Sequence, residues 1–374
     1  MGTALHLEVE FGGYGLRYSA DGGITTKQAA GLHGGYSIQN MEITRDGTFY
    51  LATICQTGLF VGKVTSIITE VIWKIHQFAG HYTMDIEQIG EKTFVTDNDS
   101  LYVTTDGLNF EKVSVYRDKN VHLHSITGAP SDQKVICVGS GHGAWGTSPV
   151  QPVLFCNDQD GESGTWTESS PVPTGGPASI IGMAFSPTNS NVLSVATFGH
   201  EQHIGNNGTG YGVFTTHDRG KSWMANNVGL NTPMSLWVGG IKKVIRDGVE
   251  YTIIVTLDGV YEKKDGEVIW NDISPIQKTD RRFSVIGTDP DNSNVVYVGT
   301  VSPNNTTIPA NVYYTKDGGK IWKDVPFNME QFPMDGVIPT WSDHYRFGAI
   351  TVTHDQIFVC IIGNTCYVAN KERI

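Results

Sequence analysis

Histidines stand out in this sequence by their placement. Most of the 12 histidines fall just before a predicted strand or in a polar loop that follows one. Neutral imidazoles that reach a shared opening from neighbouring strands can hold a divalent metal, and three or four of them suit Zn, Mn, Fe or Cu. The best-placed set is His33, His81, His124 and His344. These residues predict a divalent metal as cofactor, with Zn, Mn, Fe, Cu and Ca not distinguished.

A second group of residues in the same kind of loop could carry acid and base chemistry. Glycoside hydrolysis needs one protonated carboxylic acid and a second carboxylate, whereas β-elimination needs a base such as His or Tyr. A histidine at a strand entrance is more often a hydrogen-bonded cap, and a carboxylate in a turn commonly accepts local N–H bonds. The predicted catalytic residues are His200, His203, Glu201, Asp343 and Tyr345, and further carboxylates that come into question are Asp85, Asp97, Asp99 and Asp258.

Aromatic and basic residues in these loops could bind the substrate. Indole and phenol rings offer stacking platforms for sugar rings, and they serve equally well as packing between sheets. Arginine side chains could neutralise a carboxylate of the substrate. The predicted substrate-binding residues are Trp145, Trp237, Trp341, Arg282, Arg346 and Tyr82.

These side chains can meet only if a repeated element brings the loops together. Tyr211 to Trp223 reads as a short apolar strand, a tight turn with Asp218 and Gly220, and the start of the next strand. The turn aspartate can accept backbone N–H bonds and the glycine can take a positive φ. Related turn aspartates recur about every fifty residues, at Asp106, Asp158, Asp218, Asp265 and Asp317. Short strands within such a period predict the blades of a β-propeller.

The Ser/Thr-x-Asp-x-Gly-x-x-Trp turn resembles the Asp-box, or BNR, repeat of sialidases, xyloglucan-cleaving glycoside hydrolases and sortilin-like receptors. In such families this turn is a structural staple away from the active face, so the resemblance implies architecture more than chemistry. The early Phe/Tyr-Arg-Ile-Pro motif of sialidases is missing from the sequence, which argues against sialidase activity. Xyloglucanases of this type usually use two propellers that clasp the glucan, and a single propeller cannot form that cleft.

The strand pattern predicts an all-β chain that forms a single seven-bladed β-propeller with Asp-box turns over residues 1–374. Three strands end the chain without a fourth, and N-terminal strands can complete that sheet and close the ring. The predicted blades are 37–74, 83–114, 125–168, 182–226, 238–273, 284–325 and 347–370 together with 5–27. The loops that precede each inner strand then share one mouth with the loops that join second and third strands.

Composition limits the partners of the protein. The formal net charge is −12, with 26 Lys and Arg spread along 374 residues, which argues against nucleic acid as a partner. No apolar run is long enough to predict a membrane span. The five cysteines lack metal-type Cys-x-x-Cys spacing, and an odd number leaves at least one free thiol in a monomer. The first residues do not read as a signal peptide, which predicts a cytoplasmic protein unless a secretory leader was trimmed; oligomeric state is left open.

Three functional hypotheses follow. The first is a carbohydrate-active enzyme that cleaves a polysaccharide or oligosaccharide at the His-rich mouth, as a lyase or as a glycoside hydrolase. The second is a metalloenzyme with a multi-histidine centre in the hub of the propeller. The third is a non-catalytic module for binding or assembly, as many Asp-box proteins are. A glycan or another small molecule is the expected ligand in the first case.

Overall fold

A computed structural model gives the fold of this protein. The described residues are 15–19, 27–28, 38–44, 48–53, 58–64, 71–78, 83–97, 99–115, 122–141, 152–172, 178–198, 210–275, 282–301, 311–325, 347–361 and 365–371.

Strands make up nearly all regular structure in these ranges. The first half of the chain contains β1 Gly15–Ser19, β2 Lys27–Gln28, β3 Ile38–Ile43, β4 Thr48–Thr53, β5 Leu59–Val64, β6 Val71–Gln77, β7 Thr83–Ile89, β8 Lys92–Asp97, β9 Ser100–Thr104, β10 Glu111–Val113, β11 His122–Ala129, β12 Asp132–Gly141, β13 Leu154–Asn157, β14 Thr167–Ser169, β15 Ser179–Phe185 and β16 Leu193–Phe198.

The second half continues the same pattern, with one short 3-10 turn at Met234–Leu236. Its strands are β17 Gly212–Thr216, β18 Met224–Ala225, β19 Val238–Arg246, β20 Val249–Thr256, β21 Val260–Lys264, β22 Asn271–Asp272, β23 Arg282–Thr288, β24 Val296–Val301, β25 Val312–Thr315, β26 Trp322–Asp324, β27 Phe347–Val352, β28 Gln356–Ile361 and β29 Thr365–Asn370.

These strands form the sheets of a β-propeller. Six sheets have four antiparallel strands in chain order, and we number them blade 1 (β3 to β6), blade 2 (β7 to β10), blade 3 (β11 to β14), blade 4 (β15 to β18), blade 5 (β19 to β22) and blade 6 (β23 to β26). A further sheet has five strands in the order β2, β1, β29, β28, β27. The prediction of a seven-bladed propeller is therefore wrong in the number of blades: the described residues form six four-stranded blades and one mixed sheet of five strands.

The mixed sheet differs because its outer strands come from the other end of the chain. In a four-stranded blade the outer strand follows the third through a tight turn, and that turn forces an antiparallel pairing. β1 has no such connection to β29, and it pairs with β29 in parallel, with Arg17 opposite Tyr367. β2 then adds a short antiparallel strand outside β1.

The inner strands of the sheets pack against one another in sequence. β3 packs on β7, β7 on β11, β11 on β15, β15 on β19, β19 on β23, and β23 on β27, which in turn packs on β3. Apolar side chains fill the space between neighbouring sheets, as where Ile89 and Phe94 of blade 2 meet Leu123 and Ile126 of blade 3. The second strand of a blade has a hydrogen-bonded strand on each side within its own sheet, and a neighbouring sheet packs on each of its two faces. All six residues of β16 are accordingly buried.

Every inner strand carries the same irregularity near its beginning. The pairing register shifts by one residue between Ile38 and Asn40 in β3 and between Thr83 and Asp85 in β7. A β-bulge of this kind inserts one unpaired residue and re-aims the side chains that follow. The inserted residues are Gln39, Met84, His124, Ile181, Gly239, Ser284 and Gly348. Residues that stand the same number of positions after the bulge therefore lie at the same level of the hub, whichever inner strand they belong to.

In blades 2, 4 and 6 the turn between the third and fourth strands is held by an aspartate side chain. Asp218 accepts bonds from the Thr216 hydroxyl at 2.7 Å and from the Ser222 backbone N–H at 2.8 Å. Asp317 repeats this with the Thr315 hydroxyl at 2.7 Å and the Ile321 N–H at 2.9 Å. Gly220 takes a φ of 84°, which a side chain would strain.

One predicted turn aspartate behaves differently. In blade 3 the neighbouring Asn157 accepts the N–H bonds of Gln159 at 2.8 Å and Gly161 at 2.9 Å. Asp158 instead lies 3.3 Å from the guanidinium of Arg219 in the next blade. The insertion in this turn thus moves the acceptor role to the preceding residue.

Some of the described cysteines form disulfide bonds. Cys137 and Cys156, which face each other across β12 and β13, form a disulfide, and Cys360 is disulfide-bonded as well.

Within the described ranges, no helix is long and apolar enough to cross a membrane.

Candidate functional site in the hub

Most of the predicted site residues lie outside the described residues. This applies to His33, His81, Tyr82, Trp145, His200, Glu201, His203, Trp341, Asp343, His344, Tyr345 and Arg346. Their predicted roles stay predictions. Only His124, Trp237 and the backbone of Arg282 lie within the described chain, and Arg282 begins β23 opposite Val301.

His124 is the inserted residue of the bulge in β11. Its side chain is half-buried at the beginning of an inner strand, which is the end of the hub that the sequence assigns to the mouth. The nearby His122 places Nδ1 at 3.1 Å from a carboxylate oxygen of Asp99. Among the described residues, no three His, Cys, Asp or Glu side chains lie close enough together to hold a metal ion. The metal-binding role of His124 stays a prediction.

Trp237 is packed in the interior. Its side chain is 2% exposed, and its ring meets Phe198 edge-on with the ring centroids 5.0 Å apart. Leu257 completes this small cluster. A sugar can stack only on an accessible ring face, so a substrate-binding role for Trp237 requires the ring to leave this position.

The carboxylates considered from the sequence lie in different surroundings. Asp258 accepts bonds from the Thr232 hydroxyl at 3.0 Å and from the Tyr261 phenol at 2.9 Å. Asp97 is 1% exposed at the end of β8. Asp99 has a side chain that is 70% exposed beside His122. Asp85 differs from all of these because it belongs to a carboxyl cluster.

This cluster, which we call the hub cluster, consists of Glu42, Asp85 and Glu87. Asp85 and Glu87 are two residues apart on β7 and therefore point to the same side of that strand. Glu42 lies on β3, the inner strand that packs against β7. Glu42 and Glu87 both stand three residues after the bulge, which places them at the same level of the hub.

Each carboxylate of the hub cluster accepts a backbone N–H from the next blade. Asp85 bonds to the Ile126 N–H at 2.9 Å and also accepts a bond from the Asn40 side-chain amide of blade 1. Glu87 bonds to the Gly128 N–H at 3.1 Å. Glu42 accepts the backbone N–H of Gln88. An inner strand has no neighbouring strand on its hub side, and these carboxylates satisfy part of its free edge.

Hydroxyl groups serve the carbonyl side of the same free edges. Ser125 of blade 3 donates to the Ile180 carbonyl of blade 4 at 2.7 Å. Thr351 of the mixed sheet donates to the Met41 carbonyl of blade 1 at 3.1 Å. Polar side chains on the inner strands therefore link neighbouring sheets at the hub.

The surroundings of the hub cluster raise the pKa values of its three carboxyl groups. Burial, and next the charge of Glu87, raise the pKa of Glu42 to about 8. Burial raises the pKa of Glu87 to about 7 and that of Asp85 to about 6, and N–H bonds from Gly128 and Ile126 oppose these shifts. Carboxyl groups with pKa values of about 6 to 8 can donate or accept protons near neutral pH.

A lysine on another inner strand acts on this cluster through its charge. Lys242 lies on β19 in blade 5, and its positive charge lowers the pKa of all three carboxyl groups. Its side chain is exposed, and it makes no ion pair with any described residue within the usual contact distance of 4 Å. Among the described residues, the hub thus combines the three carboxyl groups of this cluster with the ammonium group of Lys242.

Sequence reasoning found only one member of this cluster. Asp85 was weighed as a mouth carboxylate, whereas Glu42 and Glu87 were missed. A signal was present: Asn40-Met41-Glu42 and Asp85-Ile86-Glu87 alternate polar and apolar residues on strands predicted to be innermost. Such alternation places both polar residues of each segment on one face.

Comparisons with known proteins support the fold. No protein-family model matches the sequence, and no curated protein matches it. Among solved structures, YCF48 bound to D1 peptide has a TM-score of 0.57 at 13% identity, over 87% of this chain and 89% of that one. The virginiamycin B lyase from Staphylococcus aureus has a TM-score of 0.57 at 10% identity, over 87% and 92% of the two chains.

A glycoside hydrolase is similar over part of its length. The GH74 xyloglucanase from Xanthomonas campestris has a TM-score of 0.59 at 13% identity over 91% of this chain. The chain spans only 55% of that enzyme. These neighbours match the predicted resemblance to BNR-type propellers, and at such identities the likeness shows the fold alone.

Proposed function

We propose that the protein is a carbohydrate-active enzyme that cleaves a polysaccharide or oligosaccharide at the end of the hub where the inner strands begin. The observation that carries this proposal is the hub cluster, because its carboxyl groups have pKa values of about 6 to 8. Bond cleavage in a glycan needs a group that delivers a proton and a group that removes one. Lyase and glycoside hydrolase remain the two reaction types within this proposal.

The hub cluster offers candidates for both roles. Glu87, whose pKa burial raises to about 7, keeps its proton more readily than Asp85 and is the proposed general acid. Asp85, with a pKa of about 6, is mostly ionised at that pH and is the proposed base. Asp85 is the third residue of β7, so it lies nearer to the proposed mouth than Glu87. His200, His203, Glu201, Asp343 and Tyr345 remain the proposed catalytic residues of the mouth itself.

The test is a screen of purified protein on uronate-containing and neutral glycans. New absorbance from a carbon–carbon double bond identifies a lyase, and new reducing ends without that absorbance identify a hydrolase. On a substrate that reacts, we expect E87Q to lower kcat at least about a hundredfold, since general acid catalysis typically contributes that much. E111Q is the matched control, because Glu111 is an exposed residue of the outer strand β10.

The pH profile gives a second outcome that does not depend on a variant. A general acid must carry its proton, so kcat should fall as the pH rises through about 7, the pKa of Glu87. An E87Q enzyme that folds like the wild type and keeps its activity would contradict the assignment of Glu87. A protein that acts on none of the glycans would contradict the proposed function.

The second candidate function is a metalloenzyme with a divalent metal ion at the mouth. His33, His81, His124 and His344 would hold the ion, and His124 is placed suitably at the beginning of an inner strand. Element analysis of the purified protein before and after treatment with a chelator tests this. We expect about one equivalent of metal, reduced in a variant with His124→Ala.

A non-catalytic module that binds a peptide is the alternative function. The hub carboxylates accept backbone N–H bonds between blades, which is a sufficient structural reason for their presence. The similar propeller YCF48 was solved with a peptide, and it matches nearly the full length of this chain. Peptide-array binding without any glycan cleavage would favour this alternative.

Two finer points of architecture belong to the proposal. We propose that the turns around Asp106, Asp218 and Asp317 are Asp-boxes, because their side chains accept bonds in the pattern that this repeat requires. We also propose that the mixed sheet closes the ring, since β27 packs on both β23 and β3.

A further inference from the structure

The bulges make it possible to compare the inner strands at one level of the hub. Three residues after the bulge, the side chains of these strands point toward the next sheet, as Glu87 does toward Gly128 and Thr351 toward Met41. The residues at this level are Glu42, Glu87, Thr127, Ala184, Lys242, Gly287 and Thr351.

Charge is distributed unevenly around this level. The two glutamates occupy neighbouring blades 1 and 2, whereas the lysine belongs to blade 5. Between them, Ala184 in blade 4 is too short to interrupt the hub, and Gly287 in blade 6 has no side chain. Lys242 thus shares its level with Glu42 and Glu87, and its charge reaches all three carboxyl groups of the hub cluster.

We propose that Lys242 is a positioning residue that acts as the counter-charge of the hub cluster and decides how many of its carboxyl groups are ionised during the reaction proposed above. This inference rests on the proposed function for its catalytic meaning. Its electrostatic part depends on the observation that Lys242, Glu42 and Glu87 lie at the same level of the hub. A single ammonium charge can balance one carboxylate, so the other carboxyl groups keep their protons more readily.

In the described part of the hub, the titratable and polar groups that share the surroundings of Lys242 come from the other inner strands. Glu42 comes from β3, and Asp85 and Glu87 come from β7. β11 contributes the Thr127 hydroxyl and backbone N–H groups to the carboxylates. At the same level β15, β23 and β27 contribute only Ala184, Gly287 and Thr351, which do not titrate near neutral pH. The charge balance at this level therefore lies between Lys242 and the hub cluster.

The test is the pH dependence of thermal stability in the full chain. K242M removes the charge and keeps most of the length of the side chain, and K242R is the matched control. At about pH 5 the carboxyl groups are largely protonated, and we expect equal Tm values for wild type and K242M. At about pH 8.5 we expect K242M to melt about 2 to 4 °C lower, and K242R to stay close to wild type.

A double substitution separates charge from packing. When Glu42→Gln and Glu87→Gln are already present, K242M should lose most of its effect at about pH 8.5, because two of the three carboxylates that Lys242 balances are gone and only Asp85 is left. A K242M variant that melts lower by the same amount at every pH would overturn the inference, since that result indicates packing. A decrease of Tm by K242M that is just as large in the Gln background as in the wild type would overturn it as well.

Activity provides a readout that a packing role would not change. If a glycan substrate is found, K242M should shift the loss of activity with rising pH to a higher pH, because the carboxyl groups hold their protons longer without the ammonium charge. An unshifted profile contradicts the catalytic part of the inference. The stability measurement needs no substrate, so failure of the proposed enzyme function and failure of the role of Lys242 give different results.

Discussion

Carboxylates in the hub and carboxylates in the outer turns accept similar hydrogen bonds, but their surroundings are opposite. Asp85 in the hub and Asp218 in a turn both accept backbone N–H bonds, from Ile126 and Ser222 respectively. Burial nevertheless raises the pKa of Asp85 to about 6, whereas the bonds from Ser222 and Thr216 lower the pKa of Asp218 to about 2. Hydrogen bonds dominate at the solvent-exposed turn, and desolvation dominates in the hub.

The same contrast holds for the other members of each set. The pKa values of Asp106 and Asp317 are also lowered, in both cases first by backbone N–H bonds. Those of Glu42 and Glu87 are raised, in both cases first by burial. The turns are therefore built for ionised aspartates, and the hub holds carboxyl groups that can keep a proton at neutral pH. This difference is why the proposed chemistry lies in the hub.

The largest expected effect comes from removing an acceptor in the hub. D85A leaves the Ile126 N–H and the Asn40 amide without their acceptor between blades. We expect the free energy of unfolding to fall by about 3 kcal/mol, since buried donors that lose a partner cost about 1 to 3 kcal/mol each. Denaturant unfolding at neutral pH measures this, and E111A is the exposed control. A loss no greater than that of the control would remove Asp85 as a link between blades.

A change of intermediate size is expected from neutralising Glu42. Its pKa rises from 4.5 in the unfolded chain to about 8 in the fold, so the protonated form favours folding. Stability linked to this group is full below about pH 4.5 and is lost as the pH rises toward 8. E42Q should therefore stabilise the protein at about pH 8.5 by at least about 1 kcal/mol and leave it unchanged at about pH 5. A variant that is less stable at both pH values would contradict the hub side of the comparison.

The smallest effect, with the opposite pH dependence, is expected in the outer turns. The pKa of Asp218 falls from 3.8 to about 2 on folding, so its contribution is present above about pH 4 and is lost as the pH drops toward 2. D218N should lower Tm slightly at pH 7 and should not lower it at about pH 2, in thermal melts followed by circular dichroism. Substitution of the exposed Glu168 by Gln is the control. An equal decrease of Tm at both pH values would show that Asp218 acts only through its shape.

Local sequence determined the repeated parts of this protein. The turns with Asp218 and Asp317 were predicted because their bonds join residues that are two to four positions apart. Alternating apolar residues likewise predicted strands such as β16 and β24, and their spacing predicted a propeller. Interactions of this kind depend on neighbours in the chain, and a single sequence contains them in full.

The hub cluster was different because its members meet only through the arrangement of sheets. Glu42 and Glu87 lie on separate inner strands, and Lys242 comes from a third strand far along the chain. Nothing in the local sequence states which strand packs on which, or that a bulge brings these residues to one level. The same holds for Trp237, whose burial against Phe198 depends on how two segments pack.

Tertiary structure also decided how the chain ends are used. The sequence indicated that N-terminal strands could join the last three strands, but not that β1 would run parallel to β29 or that β2 would add a fifth strand. Strand direction is fixed by a turn only where the turn is short, and no such turn links these ends. The sequence by itself thus determined the repeating strands and turns, whereas packing alone decided the mixed sheet and the charge balance of the hub, because both depend on contacts between distant residues.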